Sequence, residues 1–238
     1  MRKVVVICSV IVFMIAVSPL MAASLRMGTY PIPKMVESED RGVFIDLARE
    51  VAKRAGYVLD LEIAPPPRIV GDFSQGKFDG FFPALDVLLV FGAAAKSSPV
   101  YTKQDFAFFR KEGAELRTIE DLEGKRVGIT RGYPYAAELM SNRKILFDSA
   151  DDDVTNMKKL ASGRIDAFVV EERNGLEALK KSGGVSVTYD ATKPISRQAV
   201  YFAFKSTPEG KSAAEAFSRA LGEMKKDGSL AKILSRAN

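Results

Sequence analysis

The stretch LEGKRVGITRGYPYAAEL, residues 122–139, decides the fold class of this chain. Residues 127–130 are β-branched and apolar, which predicts a buried strand. Gly132 then predicts a turn, and Pro134 suits the first position of a helix, where a missing N–H costs no hydrogen bond. The apolar face of that helix would consist of Ala136, Leu139 and Met140. A buried strand that passes through a glycine turn into a helix is typical of an α/β fold.

The turn at Gly132 is also a candidate anion site. A helix that begins directly after a strand presents unpaired N–H groups and the positive end of its dipole. Thr130, Arg131 and Tyr133 would add a hydroxyl, a guanidinium and an aromatic ring at the same place. The alternative is an ordinary turn with an exposed Arg131 and no ligand, and this stretch alone leaves both interpretations open.

The N-terminus has the pattern of a secretory signal peptide. The chain begins with a short basic segment that contains Arg2 and Lys3. Residues 4–17 are almost continuously apolar, and small residues follow. We predict a signal peptide over residues 1–23, cleaved near Ala22 or Ala23. The alternative, a retained membrane anchor, is disfavoured because the apolar run is shorter than the roughly 20 residues that a span needs.

Composition excludes several classes of chemistry. The chain has 238 residues, no histidine and one cysteine, Cys8, which lies in the predicted signal peptide. The mature chain therefore has no disulfide, thiol nucleophile, thiolate metal site or histidine base, and we predict no cofactor and no metal. The formal charge of +5 includes Arg2 and Lys3, so the mature chain carries about +3. These charges are interspersed, which argues against a nucleic-acid partner.

The first part of the mature chain alternates strand and helix patterns. Residues 25–30 and 57–63 predict strands, and residues 42–56 between them predict an amphipathic helix. Pro65-Pro66-Pro67 predicts a break in regular structure. At the other end of the chain, Thr207 is a candidate cap for a long helix that starts at Pro208. The alternation favours parallel α/β sheets.

One local pattern occurs twice. In FSQGKFDGFFPAL, residues 73–85, and in LASGRIDAFVV, residues 160–170, a helix end is followed by glycine and a basic residue. Asp79 or Asp166 then precedes an apolar strand. The repetition predicts two lobes that are built on similar plans.

Two long segments without helical period would connect these lobes. They are residues 97–111 and 195–205, both rich in β-branched and aromatic residues. We therefore predict a first lobe of residues 24–104 and 200–238, and a second lobe of residues 105–199 inserted between them. Ligands of open α/β sheets lie beyond the carboxyl ends of the strands, so two such sheets on a two-strand hinge would close on a solute.

Six motifs carry a resemblance to a known family. In chain order they are GVFIDL (42–47), GKFDG (76–80), SSPVY (97–101), DLEGKRVGITRG (121–132), SGRIDAFVVE (162–171) and YFAFKSTPEG (201–210). Together they resemble the family 3 periplasmic solute-binding proteins of ABC importers, over nearly all of the mature chain. The resemblance implies a two-lobed type II periplasmic-binding-protein fold, a periplasmic monomer, and a small polar solute, most often an amino acid, that is passed to an ABC permease.

The resemblance also implies positions for the ligand. The turn Arg131-Gly132-Tyr133 would help to hold a ligand carboxylate, and Glu171, five positions after Asp166, would hold the ammonium group. A carboxylate at a strand end accepts charge-assisted hydrogen bonds from an ammonium group. The alternative for Glu171 is that it only caps the helix that begins at Glu172.

Three further candidates come from the first lobe. Tyr30 matches a position where the family often places an aromatic ring against the ligand, although ordinary packing explains it equally well. Arg68 matches a basic position in a subset of relatives, and a surface arginine is the alternative. We also include Phe82, in the third predicted strand, among the candidate ligand contacts.

One departure from the family pattern affects the expected substrate. Amino-acid binders of the family usually carry an arginine clamp for the ligand carboxylate at a position that falls near Val90, and there is no basic residue between Lys77 and Lys96. Either Arg131, Arg68 or Arg197 replaces the clamp, or the solute is not a standard amino acid. The apolar residues 88–95 would instead favour an aliphatic or aromatic ligand, or a protein contact.

Two other functions remain open. The family includes periplasmic dehydratases, and Glu171 would serve as a general acid in such an enzyme if burial raised its pKa. A sensory or assembly protein with a degenerate cleft is the third possibility, and residues 87–95 would then contact its protein partner.

Overall fold

The computed structural model describes residues 23–89, 94–183 and 186–237. The predicted signal peptide up to Ala22, Cys8 and the clamp position near Val90 lie outside these residues. Across the described ranges, no helix is both long enough and apolar enough to span a membrane.

Strands and helices alternate along most of the chain, as the hydrophobic pattern predicts. The first group is β1 (Ala23–Thr29), α1 (Val43–Ala55), β2 (Tyr57–Ile63), α2 (Pro66–Ser74), β3 (Gly80–Ala84), a 3-10 turn (Asp86–Leu88) and β4 (Ala94–Lys96). The second group is β5 (Tyr101–Arg110), a 3-10 turn (Glu120–Leu122), β6 (Arg126–Thr130), α3 (Ala137–Ser141), β7 (Leu146–Ala150), α4 (Asp153–Ala161), β8 (Ala167–Glu171), α5 (Glu172–Ser182) and β9 (Val187–Tyr189). The chain continues with β10 (Ser196–Lys205), α6 (Pro208–Lys226), α7 (Ser229–Leu234) and a 3-10 turn (Ser235–Ala237).

The strands form two parallel sheets that are joined by two antiparallel strands. The order is β2-β1-β3-β10-β5-β8-β6-β7, with β4 paired to β10 and β9 paired to β5. Strand β1 is parallel to β2 and β3, and β6 is parallel to β7 and β8. Strands β5 and β10 run antiparallel between the two groups, which confirms the predicted α/β fold with two crossing strands.

Strand β10 belongs to both sheets. Residues 196–200 pair with β5, whereas Tyr201, Ala203 and Phe204 pair with β3. The register against β3 shifts between Tyr201 and Ala203. The exact points where one lobe passes into the other, predicted at residues 104/105 and 199/200, stay a prediction.

The repeated aspartates make the same contact in each half. Asp79 accepts a hydrogen bond from the N–H of Arg26 on β1 at 2.9 Å, and its own N–H donates to the Arg26 carbonyl at 2.8 Å. Asp166 makes both bonds with Arg126 on β6, each at 2.8 Å. Asp79 thus ties the start of β3 to β1, and Asp166 ties the start of β8 to β6 in the same way. The prediction of two halves with similar plans is confirmed.

Two predictions about helix starts are wrong. Helix α2 begins at Pro66, within the proline run that predicts a break, because prolines in the first helical turn need no hydrogen-bond partner for nitrogen. Helix α3 begins at Ala137 and not at Pro134. The hydroxyl of buried Tyr135 accepts from the Thr130 N–H at 2.8 Å and donates to the Val169 carbonyl at 3.1 Å. These two bonds hold the chain against the sheet, so the helix begins only after Tyr135.

The cores lie between the sheets and the helices. In the first lobe, α1 and α6 cover the sheet, and the ring of Phe82 stacks on Phe202 with centroids 4.1 Å apart. In the second lobe, separate apolar clusters include residues of α3 on one side of the sheet and residues of α4 and α5 on the other. The predicted cap of α6 is confirmed, since the Thr207 hydroxyl accepts from the Gly210 N–H at 3.2 Å.

Candidate functional site

A cleft of about 930 Å³ lies between the lobes. The first lobe contributes the loop after β1 (residues 30–35) and the residues around Pro83, while the second contributes residues 132–134 and the junction of β8 with α5. Tyr101 and Lys103 of the crossing strand β5 complete the lining. The volume falls in the upper part of the range of about 300–1,000 Å³ that is typical of small-molecule sites.

Half of the sequence-predicted ligand residues line this cleft. They are Tyr30, Gly132, Tyr133 and Glu171. They come from both lobes and from separate loops, so the fold brings together residues that are far apart in the sequence. Their contacts with a solute stay a prediction.

Phe82 and Thr130 lie behind the walls of the cleft. The ring of Phe82 packs in the first-lobe core, and the next residue, Pro83, lines the cleft instead because successive residues of a strand face opposite sides. Thr130 is buried, and its hydroxyl donates to Asp153 at 2.5 Å. Both residues support the cleft from behind.

Arg68 and Arg131 make ion pairs away from the cleft lining. The Nε atom of Arg68 lies 3.4 Å from Asp72, one turn along α2. The Nε atom of Arg131 lies 2.9 Å from Asp151, and its side chain is 70% exposed. Neither side chain lines the cleft in this structure.

The helix N-terminus predicted beside Gly132 is wrong, whereas an anion at this turn stays a prediction. Helix α3 starts five residues later and is itself only five residues long. Two of the local backbone donors are also engaged: the Arg131 N–H donates to Ala150 at 2.9 Å and the Tyr133 N–H donates to Thr130 at 3.2 Å. Burial of Tyr135 accounts for this difference, since it keeps residues 133–136 out of the helix.

Glu171 caps a helix and also lines the cleft, while its contact with an ammonium group stays a prediction. It ends β8 and caps α5, accepting a long hydrogen bond of 3.4 Å from the Asn174 N–H, and it also lines the cleft. Its side chain is only 19% exposed, and the Arg173 guanidinium is 3.6 Å away. Burial raises the pKa of Glu171 above its usual value, and Arg173 opposes that shift. A buried carboxylate with long contacts is well suited to accept an ammonium group.

Lys103 is a cleft residue that the sequence analysis missed. Its side chain, only 10% exposed, makes a close ion pair with Asp105 on the same strand. Asp105 is buried and also accepts from the Ser196 hydroxyl on β10 at 2.9 Å. The signal was present in the sequence, because Tyr101, Lys103 and Asp105 alternate with other residues and must share one face of the predicted strand.

Strand register places Lys103 close to Glu171. Asp105 is the direct partner of Glu171 across the antiparallel pair of β5 with β8, so the two side chains lie on the same face. Lys103 is two residues from Asp105 and therefore lies on this face as well. The cleft thus has a buried cation and a buried anion on neighbouring strands.

Aromatic rings form much of the remaining wall. The Tyr30 hydroxyl donates to the Pro83 carbonyl at 2.9 Å, and the Tyr133 hydroxyl donates to Asp153 at 2.9 Å. The ring of Tyr101 lies 5.8 Å from that of Phe44. Burial raises the pKa values of Tyr30, Tyr101 and Tyr133, so these phenols are neutral at physiological pH. Leu88, part of the predicted apolar stretch, also lines the cleft.

An ion pair spans the mouth of the cleft. Lys34, in the loop after β1, lies 3.3 Å from Glu177 on α5, and Glu177 also pairs with Lys181 at 2.8 Å. Both lysines are more than half exposed. This pair is a direct polar contact between the loop of the first lobe and the helix of the second.

Comparisons with known proteins agree with this architecture. The model of the bacterial extracellular solute-binding proteins, family 3, matches residues 25–237. The L-cystine-binding protein TcyJ of Escherichia coli (strain K12) is 30% identical over 222 residues, which cover 85% of this chain and 77% of that protein. The probable amino-acid-binding protein YxeM of Bacillus subtilis (strain 168) is 26% identical over 214 residues, or 86% of this chain and 78% of that protein.

Among solved structures, an ancestral arginine-binding protein bound to arginine has a TM-score of 0.66 and 23% identity, covering 91% of this chain and 98% of that one. The predicted two-lobed fold is therefore confirmed.

Proposed function

The chain belongs to the bacterial extracellular solute-binding proteins of family 3, and on that premise we propose that it captures an amino acid or a related amine or carboxylate in the cleft. The solute is bound and released unchanged. Its ammonium group lies against Glu171, and its body lies against Tyr30 and Tyr133.

The observation that carries this proposal is the state of Glu171. Its carboxylate is largely buried and lines a cleft between two lobes. Within the described part of the chain, its polar contacts are the long ones to Asn174 and Arg173. An ammonium group at this position would replace lost water with charge-assisted hydrogen bonds. Micromolar affinity requires about 8 kcal/mol in total, which a few such bonds and aromatic contacts supply in a closed cleft.

We further propose delivery of the solute to an ABC permease in the periplasm, by an exported monomer that is cleaved near Ala22 or Ala23. The names of relatives support this role: one is called a putative amino-acid ABC transporter-binding protein. The name of the E. coli relative makes L-cystine a first solute to test.

A thermal-shift screen of the mature protein tests the proposal. The panel is the standard L-amino acids, L-cystine, simple amines and organic acids. We expect one chemical class to raise the melting temperature, because a ligand at a hundred times its dissociation constant stabilises the folded state by about 2.7 kcal/mol. A melting temperature that no solute of the panel changes would contradict the proposal.

The raised pKa of Glu171 also fits a second candidate, a dehydratase-like enzyme in which Glu171 donates a proton. Relatives are named as binding proteins, which favours the receptor. The two functions differ in their products: if a bound solute is recovered unchanged after prolonged incubation, the enzyme is excluded for that solute. Product formation that disappears in Glu171→Gln would support the enzyme.

A further inference from the structure

We propose that Lys103 binds the anionic end of the solute, so that the carboxylate is recognised by the crossing strand β5 and not by the loop beside Gly132. This inference rests on the proposed function and assigns a specificity-determining residue to the same cleft. It also identifies the solute class, since a ligand that uses both Lys103 and Glu171 must carry a cationic and an anionic group close together.

The first argument is burial. Three other lysines and an arginine also line the cleft, and the side chains of Lys34, Lys181 and Arg173 are 57%, 61% and 36% exposed. The Lys103 side chain is only 10% exposed. An exposed cation is screened by water and salt and contributes little to affinity. A cation that is already largely desolvated interacts more strongly with an incoming anion.

The second argument is donor capacity. A lysine ammonium group carries three N–H donors, and Asp105 accepts one of them. Because the Lys103 side chain also lines the cleft, a carboxylate in the cleft is in a position to accept another. The Ser196 hydroxyl holds Asp105 in place at 2.9 Å, so the ammonium group is positioned before the solute arrives.

The third argument is spacing. Lys103 is diagonal to Glu171 across β5 and β8, since Asp105 is the direct partner of Glu171. Diagonal partners in a sheet are about 7–8 Å apart. This is a spacing between backbone positions, so the two side chains leave the same face of the sheet near each other. An α-amino acid, whose ammonium and carboxylate groups are adjacent, is therefore suited to bind both through charge-assisted hydrogen bonds.

The positions of the alternative cations agree with this assignment. Arg131 and Arg68 pair with acidic residues outside the cleft lining. The Arg197 side chain is also not part of the lining, although its neighbour Gln198 donates to the Pro134 carbonyl at 2.9 Å. Lys103 is therefore the buried cation of the cleft among the described residues.

Calorimetric titration with matched ligands tests the inference. The ligands are the standard L-amino acids and L-cystine, each compared with its α-carboxamide, which keeps the ammonium group and lacks the carboxylate. We expect the wild type to bind the acid about ten- to a hundredfold more tightly than the amide. Lys103→Met should lose this preference, chiefly because its affinity for the acid decreases. Lys211→Met, at an exposed position of α6 outside the cleft, is the matched control and should behave as the wild type.

The variant needs its own folding control, because removal of Lys103 leaves Asp105 buried without its cation. In the double variant Lys103→Met with Asp105→Asn, an amide still accepts from Ser196 and no charge remains. Melting curves establish that the variants are folded, and the double variant should show the same loss of preference.

The outcomes separate the two proposals. If no solute of the thermal-shift panel binds the wild type, the proposed function fails and this inference fails with it. If the wild type binds only simple amines or simple organic acids, the proposed function stands and the inference about Lys103 is overturned. If the wild type binds an amino acid but does not distinguish it from its amide, or if a folded Lys103→Met variant retains the preference, only the inference about Lys103 is overturned.

Discussion

Glu171 combines a structural and a ligand-facing position in one side chain. It ends β8, caps α5 and lines the cleft, so the helix start and the candidate ammonium site share one carboxylate. A change that removes its charge and retains its shape therefore separates binding from folding.

We predict that Glu171→Gln weakens binding of an amino acid by about ten- to a hundredfold, because a charge-assisted hydrogen bond is lost. Stability should change by less than about 1 kcal/mol, since the amide oxygen still accepts from the Asn174 N–H. Calorimetry and urea unfolding measure the two effects. Glu215→Gln, at an exposed position on α6, is the control; unchanged affinity in Glu171→Gln would exclude Glu171 from the site.

The pKa of Glu171 also predicts how affinity depends on pH. Burial raises this pKa above the value of about 4.3 that is usual for glutamate, so the carboxylate becomes protonated at a higher pH than an exposed glutamate. Affinity for an ammonium solute should therefore be full at neutral pH and fall as pH decreases through the raised pKa. Titrations between about pH 7 and 4 check this, and Glu171→Gln should show a flatter profile over the same interval.

At the scale of elements, the repeated aspartates have equivalent positions but different surroundings. Asp79 ties β3 to β1 and Asp166 ties β8 to β6. Among the described residues, only Asp79 also pairs with a lysine, Lys205 on β10, at 3.0 Å. The two halves therefore permit a comparison within one protein.

We predict that Asp166→Ala destabilises the protein by about 1.5–3 kcal/mol, because the Arg126 N–H loses a charged acceptor. Asp79→Ala should cost at least as much, since it also leaves Lys205 without this partner. Urea unfolding of each variant measures the free energy of unfolding. If both variants unfolded at the same urea concentration as the wild type, the hydrogen bonds of the two aspartates would not contribute to holding the strands together.

The helices and strands show which features local patterns predict well. Strand β6, the capped helix α6 and the two crossing strands follow hydrophobic period and capping residues, which act locally. The start of α3 does not, because the buried hydroxyl of Tyr135 bonds to two separate strands, and such long-range contacts leave no local pattern. The start of α2 depends on where three prolines lie relative to the first turn, which composition alone does not determine.

The candidate site was predictable to a similar extent. Tyr30 and Tyr133 follow strand ends and Glu171 is the last residue of a strand, so the fold class places them near the cleft. Lys103 required strand register, since its neighbour across the sheet, Glu171, is 68 positions away in the chain. The orientation of Arg131 depends on Asp151, which becomes its partner only in the folded loops.

At the scale of the whole molecule, the cleft contains an excess of positive charge. Its lining includes the cations Lys34, Lys103, Arg173, Lys180 and Lys181 and the carboxylates Glu171, Glu172 and Glu177. The charge of Lys103 is neutralised by its ion pair with Asp105. The excess positive charge therefore comes from the other cations, which include the exposed lysines at the mouth of the cleft. A cationic side chain on the solute would therefore meet repulsion there.

We predict that L-citrulline binds more tightly than L-arginine, which has nearly the same shape and one additional positive charge. The difference should be several-fold at low ionic strength and should shrink as salt is added, because the lysines at the mouth are exposed. Calorimetry at two salt concentrations measures it. Tighter binding of arginine would contradict the charge distribution that we describe.

The divided pairing of β10 has a mechanical consequence. Because residues 196–200 are bonded to β5 while Tyr201, Ala203 and Phe204 are bonded to β3, rotation between the lobes has to bend this strand near Val200 and Tyr201. The register shift between Tyr201 and Ala203 interrupts the regular hydrogen bonding beside that point, so the strand bends more easily there. If the lobes rotate, we therefore expect the bending to be concentrated in a few peptide units, while each lobe moves as a rigid body.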